Sequence, residues 1–282
     1  MKKIGFIDLF IDEWHANNYP AWIKESKFGK NFELALAWEA ANNGKRTLAQ
    51  WCSDFHVTPA RSLEEVVEKC DAVCVLAPST PEVHEELAAK ALESGKPLYI
   101  DKPFTSSLAS ARRIFEKARK HGTPLMSSSA LRYGNELIAV RDNEFKTIRP
   151  DFVATTGGGG SFQEYGIHQI EMIVSLLGTG ATRIMQNVNP SRNTMWIDYP
   201  DDRRATVTYS PQFGFTLSAV SREKSVQLFT MSNIFPNLID EILQFFDTGV
   251  SPIDPAETIE ITGILEAGIK GLKTPLEWVK IG

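Results

Sequence analysis

The sequence predicts an α/β protein that has a Rossmann-like doubly wound parallel sheet and a C-terminal α+β domain with an open, mostly antiparallel sheet. In the first half of its 282 residues, short apolar runs alternate with helix-like segments, as in parallel sheets covered by helices on both faces. After about residue 135 this alternation stops, and between 183 and 231 strand-like segments follow one another directly. We therefore predict two domains, at 1–128 and 129–282.

The first domain opens on a continuous apolar run, Ile4–Ile7, which is typical of a strand buried on both faces. Residues alternate with period two from Phe32 to Trp38, which indicates a second strand. A helix is expected between these strands, although Pro20 must bend or restart it. Later strands are expected at 72–77, 98–100 and 124–127, with helices at 62–69, 82–94 and 106–121.

The second domain contains a glycine run, Gly157–Gly160, which we interpret as a flexible connection into a helix at 166–177. Strands are expected at 206–209, 215–220 and 226–230, and helices at 237–246 and 256–272.

Composition and charge exclude several classes of protein. The net charge is −5 and no block of like charge occurs, so neither nucleic acid nor an anionic membrane is an expected partner. Cys52, Cys70 and Cys74 lack metal-ligand spacing and are expected to be buried free thiols. The apolar run at residues 4–11 is too short and too polar for a signal peptide or a membrane span, so we expect a cytoplasmic protein.

Ligands of open α/β sheets bind beyond the carboxyl ends of the strands. This rule selects the turn after Ile7, Glu39, the pair Pro78-Ser79, and Lys102 with its neighbours Asp101 and Pro103. Lys102 is restricted by the following proline and could hydrogen-bond a substrate hydroxyl or a cofactor ribose. The alternative for Lys102 is a surface lysine paired with Asp101.

His168 is predicted to open a helix, with Glu164 four residues before it. A histidine there could accept a proton from a substrate hydroxyl as that carbon loses hydride. The alternative is a capping or core histidine, and two candidate ligands without a third are weak evidence for a metal. The other histidines are expected to be structural or solvated: His15, His56, His84 and His121.

Several motifs occur in an order that resembles the glucose–fructose oxidoreductase/inositol dehydrogenase (Gfo/Idh/MocA-like) family. They are the segment 77–84 (APSTPEVH), Gly95-Lys96-Pro97, Asp101-Lys102-Pro103, the segment 127–133 (SSSALRY), and 158–160 with 166–168. The resemblance implies an NAD- or NADP-binding Rossmann domain followed by a substrate and oligomerisation domain. It implies oxidation of a sugar or cyclitol hydroxyl, or reduction of the ketone, and assembly as a homo-oligomer.

The resemblance also implies roles for individual residues. Lys102 takes the place of the catalytic lysine, His168 that of the histidine acid/base, and Glu164 that of the carboxylate before it. The cofactor would lie along five residues of the first domain: Asp8, Glu39, Pro78, Ser79 and Asp101. Arg132 and Tyr133 would contact the sugar-like substrate, and no metal is implied.

The chain departs from the family where the glycine-rich fingerprint belongs. Asp8, Phe10 and Glu13 occupy the fingerprint positions, and no glycine occurs between Gly5 and Gly29. Side chains there would block close approach of a diphosphate. Glu39 could bind the adenosine ribose, or it is a solvated acid at the end of a strand.

Three functions remain open at this point. They are an NAD(P)-dependent oxidoreductase, a non-redox ligand-binding pseudoenzyme on the same fold, and a cofactor-independent lyase or hydrolase.

Overall fold

The computed structural model describes residues 1–189 and 192–282, which form two compact units. Unit 1 comprises Met1–Ser128 and Leu238–Pro255, and unit 2 comprises Ser129–Asn237 and Ala256–Gly282. Residues 238–255, which the sequence analysis placed in the second domain, therefore belong to unit 1. Side chains of this segment bond to the start of the chain, since Asp240 accepts a hydrogen bond from Ser26 and Asp247 pairs with Lys2.

Unit 1 contains a six-stranded parallel sheet in the order β3-β2-β1-β4-β5-β6, which confirms the predicted doubly wound sheet. Its strands are β1 Lys2–Asp8, β2 Phe32–Glu39, β3 Thr58–Pro59, β4 Ala72–Val75, β5 Leu98–Ile100 and β6 Leu125–Met126.

The α-helices of the described chain are α1 Trp14–Glu25, α2 Leu48–Phe55, α3 Leu63–Lys69, α4 His84–Leu87, α5 Leu108–His121, α6 Asn135–Ala139, α7 Phe162–Leu177, α8 Ile234–Thr248 and α9 Pro255–Gly271. Ser62 accepts a hydrogen bond from the backbone of Glu65 at the start of α3, as the predicted cap requires. Helix α5 ends at Gly122, whose φ of 66° lies in the left-handed region.

Close packing of α3 on the sheet depends on Gly5 in β1. A Cβ at this position would lie 2.2 Å from the Cγ1 of Val66 and 2.9 Å from the Sγ of Cys70. The first glycine of the chain therefore serves helix–sheet packing.

The helix expected at 82–94 is interrupted. The structure has a 3₁₀ turn at Pro81–Val83, the short helix α4, and another 3₁₀ turn at Ala91–Glu93. The imidazole of His84 bonds to the carbonyls of Phe104 and Leu76 at 2.9 Å. This buried histidine fixes the segment after β4, in agreement with the structural role expected of it.

Unit 2 contains a seven-stranded sheet in the order β12-β11-β7-β10-β9-β8-β13. Its strands are β7 Phe152–Gly157, β8 Arg183–Asn189, β9 Arg192–Asp198, β10 Arg204–Tyr209, β11 Thr216–Val220, β12 Ser225–Leu228 and β13 Trp278–Lys280. Pairing is antiparallel except between β7 and β10, so the predicted mostly antiparallel sheet is confirmed as a mixed one. Burial alternates along β7 and β10, so one face of the sheet meets the core of the unit.

The glycine run after β7 is closely packed, unlike the flexible connection expected from the sequence. A Cβ on Gly158 would lie 2.1 Å from the backbone oxygen of Ser210. One on Gly159 would lie 2.3 Å from the ring of Tyr165, and the φ of Gly159 is 139°. Ser210 and Tyr165 therefore lie too close to the backbone of Gly158 and Gly159 to leave room for side chains there.

No helix within the described residues combines the length and the apolar character that crossing a membrane requires.

Candidate functional site

The turn between β1 and α1 is built around the carboxyl group of Asp8, which is fully buried. Its Oδ1 accepts hydrogen bonds from the backbone N–H of Phe10 at 3.2 Å and of Ala77 at 3.1 Å. Its Oδ2 has no hydrogen-bond partner among the described residues. Burial raises the pKa of Asp8 to about 8, against the lowering effect of these two backbone donors. Asp8 is therefore largely a neutral acid at pH 7.

Glu39 stands opposite Asp8, since β1 and β2 pair these two residues at their carboxyl ends. Its Oε2 accepts the N–H of Ile11 at 3.0 Å, and its Oε1 accepts the N–H of Leu48 at 3.2 Å. The carboxylate thus binds the first turn and the start of α2, an arrangement that neither sequence interpretation of Glu39 included.

Asp12 holds the loop that follows β2 against the same turn. Arg46 donates from Nη2 to Oδ1 of Asp12 at 2.7 Å and from Nε to Oδ2 at 3.1 Å. The same guanidinium bonds to Asp54 at 2.9 Å and to Asn17 at 2.6 Å. The hydrogen bonds from Arg46 hold the pKa of Asp12 well below its usual range, although burial opposes them. We refer to Asp8, Asp12 and Glu39 as the first-turn carboxylates.

The first turn does not fit the diphosphate of a dinucleotide. Such a turn normally offers backbone N–H groups to phosphate oxygens and uses glycine to admit them. Here the N–H groups of Phe10 and Ile11 already donate to carboxylates of the chain. The nearby cation Arg46 is likewise engaged by Asp12 and Asp54.

Asp101 and Lys102 follow β5, and Asp101 is fully buried. His15 Nδ1 lies 2.5 Å from Asp101 Oδ2, and the hydroxyl of Tyr99 donates to Oδ1 at 3.0 Å. Burial by itself would raise the pKa of Asp101, but the charge and hydrogen bond of His15, with the charge of Lys102, hold that pKa below its ordinary value. Lys102 is partly exposed beside this buried pair. The arrangement fixes the backbone that carries Lys102.

His15 is buried and hydrogen-bonded, which agrees with the structural role that was one of its two expected roles, but its partner was not predicted from the sequence. Its partner Asp101 lies 86 positions later in the chain, and only the neighbouring ends of α1 and β5 bring them together. The ring of His15 stacks on that of Tyr19, with centroids 5.1 Å apart, and meets Trp14 edge-on. No spacing pattern could have revealed this pair.

Pro78 and Ser79 lie in the connection after β4. Pro78 is buried, whereas Ser79 is exposed. The backbone before them is fixed by Asp8 and His84, which bind the N–H and the carbonyl of Ala77.

His168 lies in the second turn of α7 in unit 2, not at the start of a helix as expected. Helix α7 begins at Phe162 and is capped by Ser161, whose hydroxyl accepts the N–H of Glu164. His168 Nδ1 lies 2.7 Å from the hydroxyl oxygen of Ser129. The imidazole also meets Phe215 edge-on, with ring centroids 5.5 Å apart. Ser129 and Phe215 therefore orient the ring, and Glu164 lies one helical turn before it.

Arg132 and Tyr133 lie in a buried 3₁₀ turn of unit 2, at Ala130–Tyr133. Arg132 donates to Glu171 and Glu257, each at 2.5 Å. Burial alone would lower the pKa of Arg132, but these two carboxylates raise it. Glu171 is the acid three residues after His168 on α7, so this ion-pair network ties α7 to the turn that begins after Ser129.

The described residues contain no group of three or more histidine, cysteine, aspartate or glutamate side chains that could hold a metal ion.

Comparison with known proteins finds similarity to oxidoreductases over part of the chain. Residues 15–129 match the sequence profile of a family described as oxidoreductase family, NAD-binding Rossmann fold (GFO_IDH_MocA). An uncharacterized oxidoreductase of Escherichia coli K12, YhhX, is 32% identical over 142 residues. That match covers 44% of this chain and 40% of the relative, so it spans less than half of either protein.

Solved structures show the same fold over nearly the whole chain. A probable dehydrogenase from Thermotoga maritima superposes with a TM-score of 0.83 and 14% identity, over 99% of this chain and 98% of that one. Myo-inositol dehydrogenase from Lactobacillus casei, in complex with NAD(H) and myo-inositol, gives a TM-score of 0.82 and 16% identity, over 100% and 97%.

The fold is that of a Rossmann-type protein, and residues 15–129 are similar to the NAD-binding domain of the Gfo/Idh/MocA oxidoreductases. The family match begins at residue 15, after the first turn. The turn that carries Asp8 and Asp12 therefore lies outside the matched residues.

Proposed function

We propose that the protein is an oxidoreductase that interconverts a hydroxyl and a carbonyl group on a sugar- or cyclitol-like substrate, with NAD or NADP as the hydride carrier. The similarity of residues 15–129 to an NAD-binding oxidoreductase family supports the reaction class. A structural neighbour of the same fold, the Lactobacillus casei enzyme, is described with NAD(H) and myo-inositol, which supports the choice of substrate class.

The observation that carries this proposal is the ordered environment of His168. Ser129 binds Nδ1 of its imidazole, and the buried pair Arg132–Glu171 fixes the next turn of the same helix. A histidine held in this way is suited to accept the hydroxyl proton while the carbon loses hydride, because imidazole both accepts and donates protons. Ser129 would set which ring nitrogen carries the proton.

We also assign catalytic roles to Lys102 and Glu164, as the family resemblance implies. Lys102 would donate a hydrogen bond to the substrate oxygen and stabilise negative charge that develops there. The negative charge of Glu164, one helical turn away, would stabilise the positively charged imidazolium that forms when His168 accepts the proton. Arg132 has its guanidinium engaged by two carboxylates, so we assign it to positioning α7, and Tyr133 to the wall of the substrate site.

Turnover assays with variants test the proposal. The protein is incubated with NAD⁺ or NADP⁺ and either myo-inositol or D-glucose, and reduced nicotinamide is followed by its absorbance. Lys102→Ala is expected to lower kcat by about 100-fold or more, the usual range for loss of a proton-transfer or charge-stabilising group. Lys90→Ala, which removes an exposed lysine of the same unit, is the matched control and should retain full activity.

Equal rates for the wild type and Lys102→Ala would contradict the assigned role. Absence of turnover with every pair of cofactor and substrate would contradict the reaction class.

A second function is favoured by the first turn. Because its N–H groups are bound by carboxylates of the chain, the same fold could serve as a non-redox protein that binds a sugar-like ligand. Binding of myo-inositol in calorimetry, without turnover or nucleotide binding, would support this alternative.

A further inference from the structure

The loop between β2 and α2, residues 40–47, lies directly on the first turn. The N–H of Ala40 donates to the carbonyl of Asp8 at 3.0 Å, and the N–H of Ala41 donates to that of Leu9 at 2.9 Å. Asn43 and Lys45 both donate from their side chains to the carbonyl of Asp12, at 3.4 and 3.3 Å. The loop therefore packs along the turn from Asp8 to Asp12 and covers it.

The first-turn carboxylates bind groups that a dinucleotide would need. Asp8 and Glu39 accept the N–H groups of the turn, and Asp12 binds the guanidinium of Arg46. In a Rossmann domain the diphosphate rests on this turn, and the acid at the end of the second strand reaches the adenosine ribose. In this chain, side chains of the protein already bind the N–H groups at the diphosphate position, and Glu39, the acid at the ribose position, is itself bonded to backbone N–H groups.

The charged side chains around the first turn also disfavour a diphosphate. Glu13, Glu39, Asp12 and Asp54 are carboxylates around the turn, against the two cations Lys45 and Arg46. A diphosphate would add negative charge to a region that already has an excess of it, and like charges in partly buried positions repel strongly.

We propose that the first-turn carboxylates and loop 40–47 close the ADP-binding half of this Rossmann unit, so that the unit does not anchor the diphosphate of a dinucleotide. Any nicotinamide cofactor then binds weakly and without the usual contact to the first turn. The closure itself is a statement about nucleotide binding. Only its expected effect on turnover rests on the proposed oxidoreductase function.

Asp8 excludes phosphate through the volume of its side chain and through its hydrogen bonds more than through its charge. Burial keeps Asp8 mostly neutral at pH 7, so its carboxyl group excludes phosphate by filling the turn and by accepting the N–H groups of Phe10 and Ala77. This distinction can be tested, because asparagine keeps the volume and the accepting oxygen, whereas glycine removes both.

Calorimetric titration with ADP-ribose and with NAD⁺ tests the closure in the full-length protein. Wild type is expected to bind either probe with a Kd weaker than about 1 mM. Asp8→Gly should tighten ADP-ribose binding by about tenfold or more, because it frees two N–H donors and opens the turn. Asp8→Asn, the matched control, should change the Kd by less than about threefold.

Thermal melting will show whether Asp8→Gly folds. If it does not, a second variant still tests the closure. Asp12→Asn leaves the turn intact but releases much of the hold on Arg46, so it should also tighten ADP-ribose binding. Micromolar binding of ADP-ribose by the wild type would overturn the proposal. So would two folded variants, Asp8→Gly and Asp12→Asn, that bind no better than wild type.

These outcomes are distinguishable from failure of the proposed function. Turnover with NAD⁺ at a high KM, without measurable ADP-ribose binding, supports both the function and the closure. Turnover with micromolar ADP-ribose binding supports the function and overturns the closure. Absence of turnover together with absence of ADP-ribose binding supports the closure and overturns the redox function.

Discussion

At the scale of single residues, the protonation of Asp8 links the first turn to the stability of the fold. The carboxyl group has an ordinary pKa of 3.8 when exposed and a pKa of about 8 in the folded protein. Between these values the folded state holds a proton that the unfolded state gives up. The free energy of unfolding therefore falls as the pH rises from about 4 to about 8, by about 1.4 kcal/mol for each pH unit between the two pKa values.

We expect Asp8→Asn to remove this dependence. The variant should unfold at a higher urea concentration than wild type at about pH 9, by an amount that corresponds to a few kcal/mol, and the difference should shrink towards pH 4. Urea unfolding followed by circular dichroism at several pH values measures it. Asp202→Asn, which neutralises an exposed carboxylate, serves as control and should leave the pH profile of the wild type unchanged. Parallel pH profiles for wild type and Asp8→Asn would disprove the assignment.

Buried partners also explain which residue roles the sequence could predict. Lys102 and His168 were proposed as candidates because they belong to local motifs. Their supports, the pair His15–Asp101 and the pair Ser129–His168, join residues that are far apart in sequence. Such pairs depend on which strand and helix ends become neighbours, and periodicity carries no information about that.

At the scale of elements, β1, β4 and β5 were predicted because buried parallel strands are continuous apolar runs, whereas β2 was predicted from its alternation. The connection after β7 was predicted less well, because a glycine run suggests flexibility unless its neighbours are known. In the structure Gly158 lies against the backbone of Ser210, and Gly159 lies against the ring of Tyr165. These contacts hold the start of α7, and so they help to place His168.

We expect Gly158→Ala to destabilise the protein by about 2 kcal/mol or more, because its Cβ would overlap a backbone oxygen that has little room to move. Gly214→Ala is the matched control, since a Cβ there meets no atom within 4 Å, and its effect should stay within about 0.5 kcal/mol. Thermal melting of both variants compares them. Equal melting temperatures would show that the connection after β7 tolerates side chains.

At the scale of the whole molecule, the sheet of unit 2 carries exposed aromatic side chains. Trp196 in β9 and Trp278 in β13 are each more than two-fifths exposed. Together with the family resemblance, these rings support the homo-oligomer expected from the sequence, because exposed aromatic side chains are typical of surfaces that become buried on association.

We expect Trp196→Lys to shift the protein towards the monomer, because a charge would be buried in a packed interface. Light scattering coupled to size-exclusion chromatography reports the mass of the wild type and the variant. Val250→Lys, which places the same charge at an exposed apolar position of unit 1, should not alter the mass. A wild type that is monomeric at all concentrations would contradict the expected oligomer.

Sequence alone predicted the doubly wound sheet, the mostly antiparallel second sheet and the resemblance to a family, and it proposed the side chains Lys102, Glu164 and His168 as candidates. These follow from local signals such as apolar period, glycine and proline positions, and short motifs. Only the folded chain shows that Asp8, Asp12 and Glu39 bind the first turn and that residues 238–255 return to unit 1. The absence of glycine in the turn was visible in the sequence. What occupies the N–H group of Ile11 was not, because its acceptor Glu39 and the covering loop come from segments about 30 residues later and meet the turn only after folding.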